Sequence, residues 1–449
     1  MRISRRGAVG LIGSTIAAPH VLIHESAAAA VRLRRIGKPR ELGKNLPGGK
    51  FKVSLSAFPN GSFIAAFLNF RSSLDTRAYV RYFDPAGDPL SKYIQMGSPR
   101  GLTDGLPAGS VVPVANEDGS AMIFFSALSN DSPATEDIFA QPMTADMQKS
   151  GRPKRINKKT EFIQREILAV RLQQSGASAR AEAPLFLVVW LTQGLTLDSY
   201  DINGALVTRD GQRASNERRM TAQGKGMQAP RDLKALLTGG AALSHTTFLP
   251  NSNFWEAYIQ PFDDQAAIDE AVIRIKRSEG WPWGSAGLCP DPIDPNALYA
   301  AWYDKGQQDG VANQYIGLYD SVDWKSVKID QFGTDPLIAN PIPPNLVILG
   351  NAAPDLRDAI LTRIQYDEIH PYYRMTLEAF TLGTAKDLTH FIINDRARIW
   401  ASEPGRRPTN DALIQLPGQP NNRCVAGGSE TGDNPQGNRA FMQIIEQVM

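Results

Sequence analysis

Acids, amides and aromatic residues gather in a few short polar stretches of this chain. One runs Tyr303-Asp304-Lys305-Gly306-Gln307-Gln308-Asp309-Gly310, another Tyr366-Asp367-Glu368-Ile369-His370-Pro371-Tyr372-Tyr373. A third holds Asn251, Asn253, Phe254 and Trp255, and a fourth Glu430, Asp433, Asn434 and Gln436. Planar rings stack on sugar rings, while amides and carboxylates hydrogen-bond hydroxyls. Trp255, Tyr303, Asp304, Asp367, His370 and Tyr372 are therefore the candidate ligand-binding set. Wet loops are polar for the simpler reason of solvation, and that reading stands beside the first. Adjacent carboxylates such as Asp367 and Glu368 point apart, so a catalytic pair must come from two loops. Asp304 with Glu368 is the candidate pair, which glycoside chemistry would hold about 5–10 Å apart. Trp281-Pro282-Trp283-Gly284 is a further stacking platform or a plug between sheets.

Other chemistries lack their residues. After the first thirty positions only His245, His370 and His390 remain, and His390 reads as a packing residue in a strand. With two cysteines, Cys289 and Cys424, they do not make a multi-histidine metal centre, and neither metal nor cofactor is expected. There is no G-x-S-x-G elbow and no glycine-rich phosphate loop before a helix. A net charge of +2 predicts no nucleic-acid surface.

The elements that must position these loops are short strands. Gly and Pro number 38 and 31, a turn-rich composition. One unit recurs: an apolar run, a polar loop, an alternating run ending in aromatic-Asp, a turn, and a short basic-apolar strand. Its clearest copy starts at Pro59-Asn60-Gly61, continues through Ser62 to Phe70 and Ala78 to Tyr82, turns at Phe83-Asp84-Pro85-Ala86-Gly87 and ends with Leu90 to Gln95. Asp suits the turn by bonding the backbone two residues on, and Gly by accepting positive φ. Further copies are read at Tyr200-Asp201-Ile202-Asn203-Gly204, Phe262-Asp263-Asp264-Gln265 and Tyr319-Asp320-Ser321-Val322, with weaker ones near Met143-Thr144-Ala145-Asp146 and Phe380-Thr381-Leu382-Gly383. Apolar runs at Ala121 to Leu128, Leu185 to Leu191, Ala241 to Phe248, Ala297 to Tyr303, Ala359 to Ile364 and Ala412 to Leu416 suit strands buried on both faces. The period is roughly 60 residues, which predicts an all-β propeller of about seven four-stranded blades. Two β-sandwich domains are the other reading of the same strands.

The aromatic-Asp-x-x-Gly-x-x-Leu turn, as in Phe83-Asp84-Pro85-Ala86-Gly87-Asp88-Pro89-Leu90, resembles the degenerate repeats of secreted proteobacterial β-propellers. The resemblance implies architecture and not activity. The blades lack the Ser-x-Asp-x-Gly-x-Thr-Trp box of sialidase-like propellers and the Trp-Asp and kelch signatures.

The first residues read as an export signal. Ser4-Arg5-Arg6 precedes an apolar stretch, Ala8 to Ile23, and the small residues Ala27 to Ala30. The layout resembles a twin-arginine signal peptide, with Gly10 where that class has Lys, and predicts a periplasmic or extracellular protein. The stretch is too short and too broken by Gly10, Gly13 and Pro19 for a permanent span, and no other transmembrane segment is read. Export permits a Cys289–Cys424 disulfide, and two separate thiols are equally open. Val31-Arg32-Leu33-Arg34-Arg35-Ile36 has the look of an outer strand. The chain ends inside a third strand, Phe441 to Val448. Residues 31–36 are thus expected to complete the last blade and close the ring of a single domain, 31–449.

The functional expectation is a monomeric, non-catalytic binding protein that uses its loop face for a glycan or an envelope protein. The alternatives are a glycan-active hydrolase or lyase working through loop-face carboxylates, and a surface assembly component.

Overall fold

The computed structural model describes residues 32–448 apart from 73–74, 99–108, 130–134, 159–161, 174–185, 195–199, 223–226, 250–253, 270–271, 280–285, 306–310, 337–343, 351–355, 368–371, 384–391, 402–406, 410, 420–421 and 433. The candidate signal segment, the Trp281–Gly284 platform, Glu368, His370 and His390 lie outside the described residues.

After β1 (Arg32–Leu42) comes a four-stranded sheet of β2 (Gly49–Ala57), β3 (Phe63–Ser72), β4 (Asp75–Phe83) and β5 (Ile94–Gln95). Then follow β6 (Val111–Ala115), β7 (Ala121–Leu128), β8 (Glu136–Met143), β9 (Lys154–Arg155), β10 (Ile163–Arg171), β11 (Phe186–Gln193), β12 (Tyr200–Val207) and β13 (Arg218–Arg219), which form one eight-stranded sheet. Its two halves, β6–β9 and β10–β13, meet at a single parallel pair, Ile163 with Glu136. Three four-stranded sheets come next. The first is β14 (Met227–Ala235), β15 (Ala241–Leu249), β16 (Phe254–Phe262) and β17 (Ile273–Glu279). The second is β18 (Gly287–Pro290), β19 (Ala297–Lys305), β20 (Val311–Asp320) and β21 (Ser326–Pro336). The third is β22 (Leu346–Gly350), β23 (Leu356–Asp367), β24 (Tyr372–Gly383) and β25 (Ile392–Ala401). The last sheet joins β26 (Arg407–Pro408), β27 (Ala412–Gln415), β28 (Arg423–Thr431) and β29 (Arg439–Val448) to β1, which pairs antiparallel with β29 from Arg32↔Val448 to Leu42↔Ala440. Hydrogen bonding thus gives six sheets among the described residues. Helix is almost absent, and the fold is a β-propeller.

The sheets pack face to face through apolar clusters. Strands β3, β7, β11 and β15 are buried on both faces, which is why their sequences read as continuous apolar runs. Ile123 and Phe125 meet Leu68 and Val80 of the preceding sheet, and Leu243 and Phe262 meet Leu187 and Val189. Two tight turns recur at one end of the sheets, the turn end. Between first and second strands, Gly61 and Gly119 donate to the carbonyls of Phe58 and Asn116. Between third and fourth strands, Phe83 pairs with Pro89, Met143 with Lys149, Val207 with Arg213 and Phe262 with Ile268. Asp84, Thr144, Thr208 and Asp263 each accept from the backbone N–H four residues on. Tyr200-Asp201 is therefore not a copy of this turn: it opens β12, Asp201 pairs with Arg219 at 3.1 Å, and the true copy is Thr208 to Gly211. Likewise Ala412 to Leu416 holds a first strand and not a second, the second being β28. Leu90 to Gln95 contains only the two-residue strand β5.

First strands β2, β6, β10, β14 and β27 line a common central cavity. Their inner edges carry N–H groups without a ladder partner, and side chains of the preceding sheet accept from them. Ser56 Oγ takes Ala115 N–H, Asp232 Oδ2 takes Leu288 N–H and Asp411 Oδ2 takes Val53 N–H, at 2.9, 2.8 and 2.9 Å. Cys289 Sγ does the same for Ile348 N–H at 3.3 Å. Cys289 and Cys424 are two free thiols, so the disulfide left open by the sequence is not formed. Burial pushes the two thiols up, to about 11 and about 12.

Candidate functional site

At the end opposite the tight turns, the loop end, one slot recurs across the second and third strands. Cross-strand neighbours fill it: Phe67 with Tyr79, Phe125 with Phe139, Trp190 with Asn203, and His245 with Tyr258. Alternation along each strand turns these side chains toward the preceding sheet. Phe67–Tyr79 and Phe125–Phe139 stack at 5.9 and 5.7 Å between centroids. His245–Tyr258 stack at 5.5 Å and 21° in the same way, but with polar atoms. His245 is wholly buried, and its Nε2 has no hydrogen-bond partner among the described residues. Burial pushes the imidazole down to about 3, and Arg219 acts in the same direction, so the ring is neutral at any ordinary pH. The Tyr258 hydroxyl donates to Glu256 Oε2, two residues earlier on the same face, and Glu256 is 5% exposed. Arg274 on β17 reaches Glu256 Oε1 at 3.4 Å and is itself 58% exposed. Gln228 and Thr221, bonded at 2.8 Å, complete a polar layer between the β10–β13 half-sheet and β14–β17. A phenol held on a carboxylate, enclosed, with cations beside it, is equipped for proton transfer and nucleophilic attack.

Nearer the axis, three first strands carry an extra residue at the same level. The register of β2 shifts between Phe51 and Ser54, that of β10 between Arg165 and Leu168, and that of β14 between Pro230 and Asp232. Lys52-Val53 and Glu166-Ile167 occupy the shift in β2 and β10, and Arg231 occupies it in β14. Lys52 and Glu166 have φ of 52° and 54°, a left-handed conformation that costs a non-glycine residue roughly 1 kcal/mol or more. Lys52 Nζ donates to Glu166 Oε1 at 2.6 Å and to the Gly109 carbonyl at 3.2 Å. Arg231 lines the cavity of about 360 Å³ together with Asp232, Lys234 and Asp411. Burial raises the Asp411 carboxyl above the usual carboxylate range, against the hydrogen bonds it accepts from Val53 and Thr409.

Trp255 and Tyr303 are 7% and 4% exposed, and Trp255 packs against Phe248 at 5.0 Å. Both rings are buried, Trp255 against its cross-strand partner in the same sheet. Asp304 stands near the end of β19 opposite Asn313. Asp367 and Tyr372 are register partners at the ends of β23 and β24. Asn434 caps a single 3-10 turn, Pro435–Gly437, and Gln436 donates to the Arg71 carbonyl across the sheet boundary. Sequence reasoning did not single out Tyr258 or Glu256, and it treated His245 as one scattered histidine. The usable signal was the slot itself, visible once Phe125 and His245 are aligned as equivalents.

No protein-family model and no curated protein matches the chain. Solved structures do. A polysaccharide lyase, ulvan lyase, is similar over 91% of this chain and 96% of its own, at 9% identity and a TM-score of 0.50. An α-L-arabinofuranosidase from Fusarium graminearum covers 74% of this chain and 91% of its own, at 11% identity and a TM-score of 0.47. A mutant of the NanB sialidase from Streptococcus pneumoniae covers 91% and 70%, at 9% identity and a TM-score of 0.47. At such identities the likeness is one of fold, the β-propeller. The expectation of a non-catalytic binding module does not stand against it. The similar propellers are by name a lyase, a glycosidase and a sialidase.

Proposed function

We propose that this chain is a glycan-active enzyme, a hydrolase or lyase, whose reacting groups are Tyr258 and Glu256. The observation that carries the reading is the Tyr258 hydroxyl bonded to the Glu256 carboxylate under the neutral ring of His245. Glu256 takes the phenol proton as the Tyr258 oxygen attacks the anomeric carbon. The glycosidic bond breaks on the opposite face of the ring, where the leaving oxygen takes a proton from solvent water; the hydroxide left behind then releases the sugar from the tyrosine, and Glu256 returns its proton to the phenolate. On a uronate the Tyr258 phenolate, its proton already on Glu256, removes the ring proton beside the carboxylate, the double bond forms, and the departing glycosidic oxygen takes that proton back from the phenol. His245 fixes the ring plane, and its neutrality spares Glu256 a competing cation. Arg274, exposed at its outer end, is placed to meet an anionic sugar.

The test is a panel of polysaccharides offered to the chain from Val31 onward, with product analysis. Hydrolysis gives new reducing ends alone, and elimination adds ultraviolet-absorbing unsaturated ends. Tyr258→Phe is expected to lower kcat at least ~100-fold with an unchanged melting temperature. Full activity in that variant overturns the assignment.

Three further readings belong to the proposal. The eight-stranded sheet counts as two blades, because one residue pair joins its halves, and the propeller then has seven. β1 completes the last blade and closes the ring through its pairing with β29. Residues 1–30 direct export, so the enzyme meets its glycan outside the cytoplasm. No helix among the described residues is long and apolar enough to cross a membrane.

A further inference from the structure

We infer that Lys52, Glu166 and Arg231 form a sugar-binding subsite at the axis, separate from the reacting groups, that makes the enzyme favour longer chains. The inference rests on the glycan-active reading above and adds where the substrate lies.

Three observations meet here. Lys52 and Glu166 both hold a left-handed backbone at equivalent insertions in two different sheets. Glycine would adopt that conformation freely, so a charged side chain kept there points to a use for the side chain. The two side chains meet at 2.6 Å yet remain 25% and 41% exposed, so the pair spans the two sheets without being sealed. A half-open carboxylate and ammonium offer acceptor and donor positions to the vicinal hydroxyls of a sugar ring. Arg231, at the shift in β14, adds donors from that strand.

The register ties this group to Tyr258. Pro230, His245, Tyr258 and Arg274 form one row across four strands, and Arg231 directly follows Pro230. Tyr258 therefore stands two strand spacings, about 10 Å, outward from the strand that bears Arg231. That separation matches about two sugar units in an extended chain. A glycan running over the loop end, parallel to the row, reaches the axis with its third or fourth unit while its scissile bond lies at the level of Tyr258.

A size series of oligosaccharides from the substrate found in the panel tests this, with kcat and KM measured for each length. The wild-type protein is expected to gain at least ~10-fold in kcat/KM, about 1.4 kcal/mol, between disaccharide and tetrasaccharide, mostly through KM. Glu166→Gln is expected to flatten that gain, and Lys52→Gln, which breaks the same pair from the other side, to do likewise. Melting curves of both identify any variant that fails to fold, in which case the other carries the measurement. Equal length dependence in the wild type and a folded variant overturns the subsite while leaving the Tyr258 reading intact. No turnover of any length by the wild type overturns both.

Discussion

Phe125–Phe139 and His245–Tyr258 occupy the same slot in two sheets, with nearly the same ring separation and tilt. Around the first pair the rings are apolar, with Phe58 and Tyr82 at the turn end and Phe51, Leu68 and Phe70 toward the loop end, while Asp137, two residues before Phe139, is buried and paired with Arg155 as Glu256 is with Arg274. Around the second, Leu187, Val189, Leu243 and Phe262 fill the turn end, while Gln228, His245, Glu256 and Tyr258 occupy the loop end. One backbone position therefore serves packing in one sheet and chemistry in another. Burying a histidine with an unpaired nitrogen costs stability that the phenylalanine pair does not. The carboxylate–arginine pair recurs as Asp137–Arg155 and Asp201–Arg219, so what sets the second slot apart is the His245–Tyr258 ring pair, which the fold replaces by two phenylalanines elsewhere.

The comparison can be pressed from both sides. The largest effect is expected for Tyr258→Phe, which gives the catalytic slot the ring of its apolar counterpart and removes activity while sparing the fold. The converse change, Phe125→His, introduces a polar ring where no partner waits. It is expected to destabilise by about 3 kcal/mol, read as a lowered denaturation midpoint, and to leave the chemistry of Tyr258 alone. An activity loss larger than the fraction unfolded would show that the two slots are not independent.

A pH titration separates the slots next. His245 is held at about 3 in the folded chain and returns to about 6.5 when unfolded. A depressed value means stability fully present above pH 6.5 and lost as pH falls toward 3, at up to about 1.4 kcal/mol per unit. His245→Phe is expected to remove that part of the acid sensitivity and to be at least as stable as the natural chain at pH 5. Chemical denaturation of the two proteins at pH 7 and pH 5 measures it. Parallel losses in both would mean that the imidazole already takes its proton in the fold.

The fold was legible where physics repeats. Apolar runs such as Ala121 to Leu128 and Ala241 to Phe248 mark strands because burial on both faces allows no polar alternation. The Phe83 turn announces itself through Asp84 and Gly87. The Val207 copy hides because Thr208 does the work of Asp84, and the aromatic-Asp pair at Tyr200 imitates a turn from inside a strand. The candidate site was hardly legible at all. Polar loops attract attention, yet Trp255 and Tyr303 point into packing, and the polar groups that have no packing role sit inside strands. Alternation assigns His245, Glu256 and Tyr258 to a buried face but does not say that the face has changed its chemistry. Only the cross-strand register, set by long-range pairing, brings His245 over Tyr258. Lys52 and Glu166 were invisible for a related reason: a bulge of one residue has no sequence mark when the inserted residue is not glycine.

The turn end should behave as the uniform half of the molecule, and its fifth turn position tests that with the smallest expected effect. Gly87, Met147, Gly211 and Ala266 all sit there with positive φ, at 85°, 62°, 83° and 58°. An added methyl at Gly211 would meet Ala140 and Pro142 at 3.4 Å, ordinary contact, so Gly211→Ala charges only the backbone, about 1 kcal/mol. At Gly87 the methyl would also come within 2.6 Å of Ile444 Cδ1, the side chain of another sheet. Gly87→Ala is thus expected to cost about 1 kcal/mol more than Gly211→Ala, both read from denaturation midpoints, and neither should alter turnover. Equal losses would mean that Ile444 yields freely and that the sheet boundary there is looser than its packing implies. A change in turnover from either variant would contradict the division of the molecule into a structural end and a chemical one.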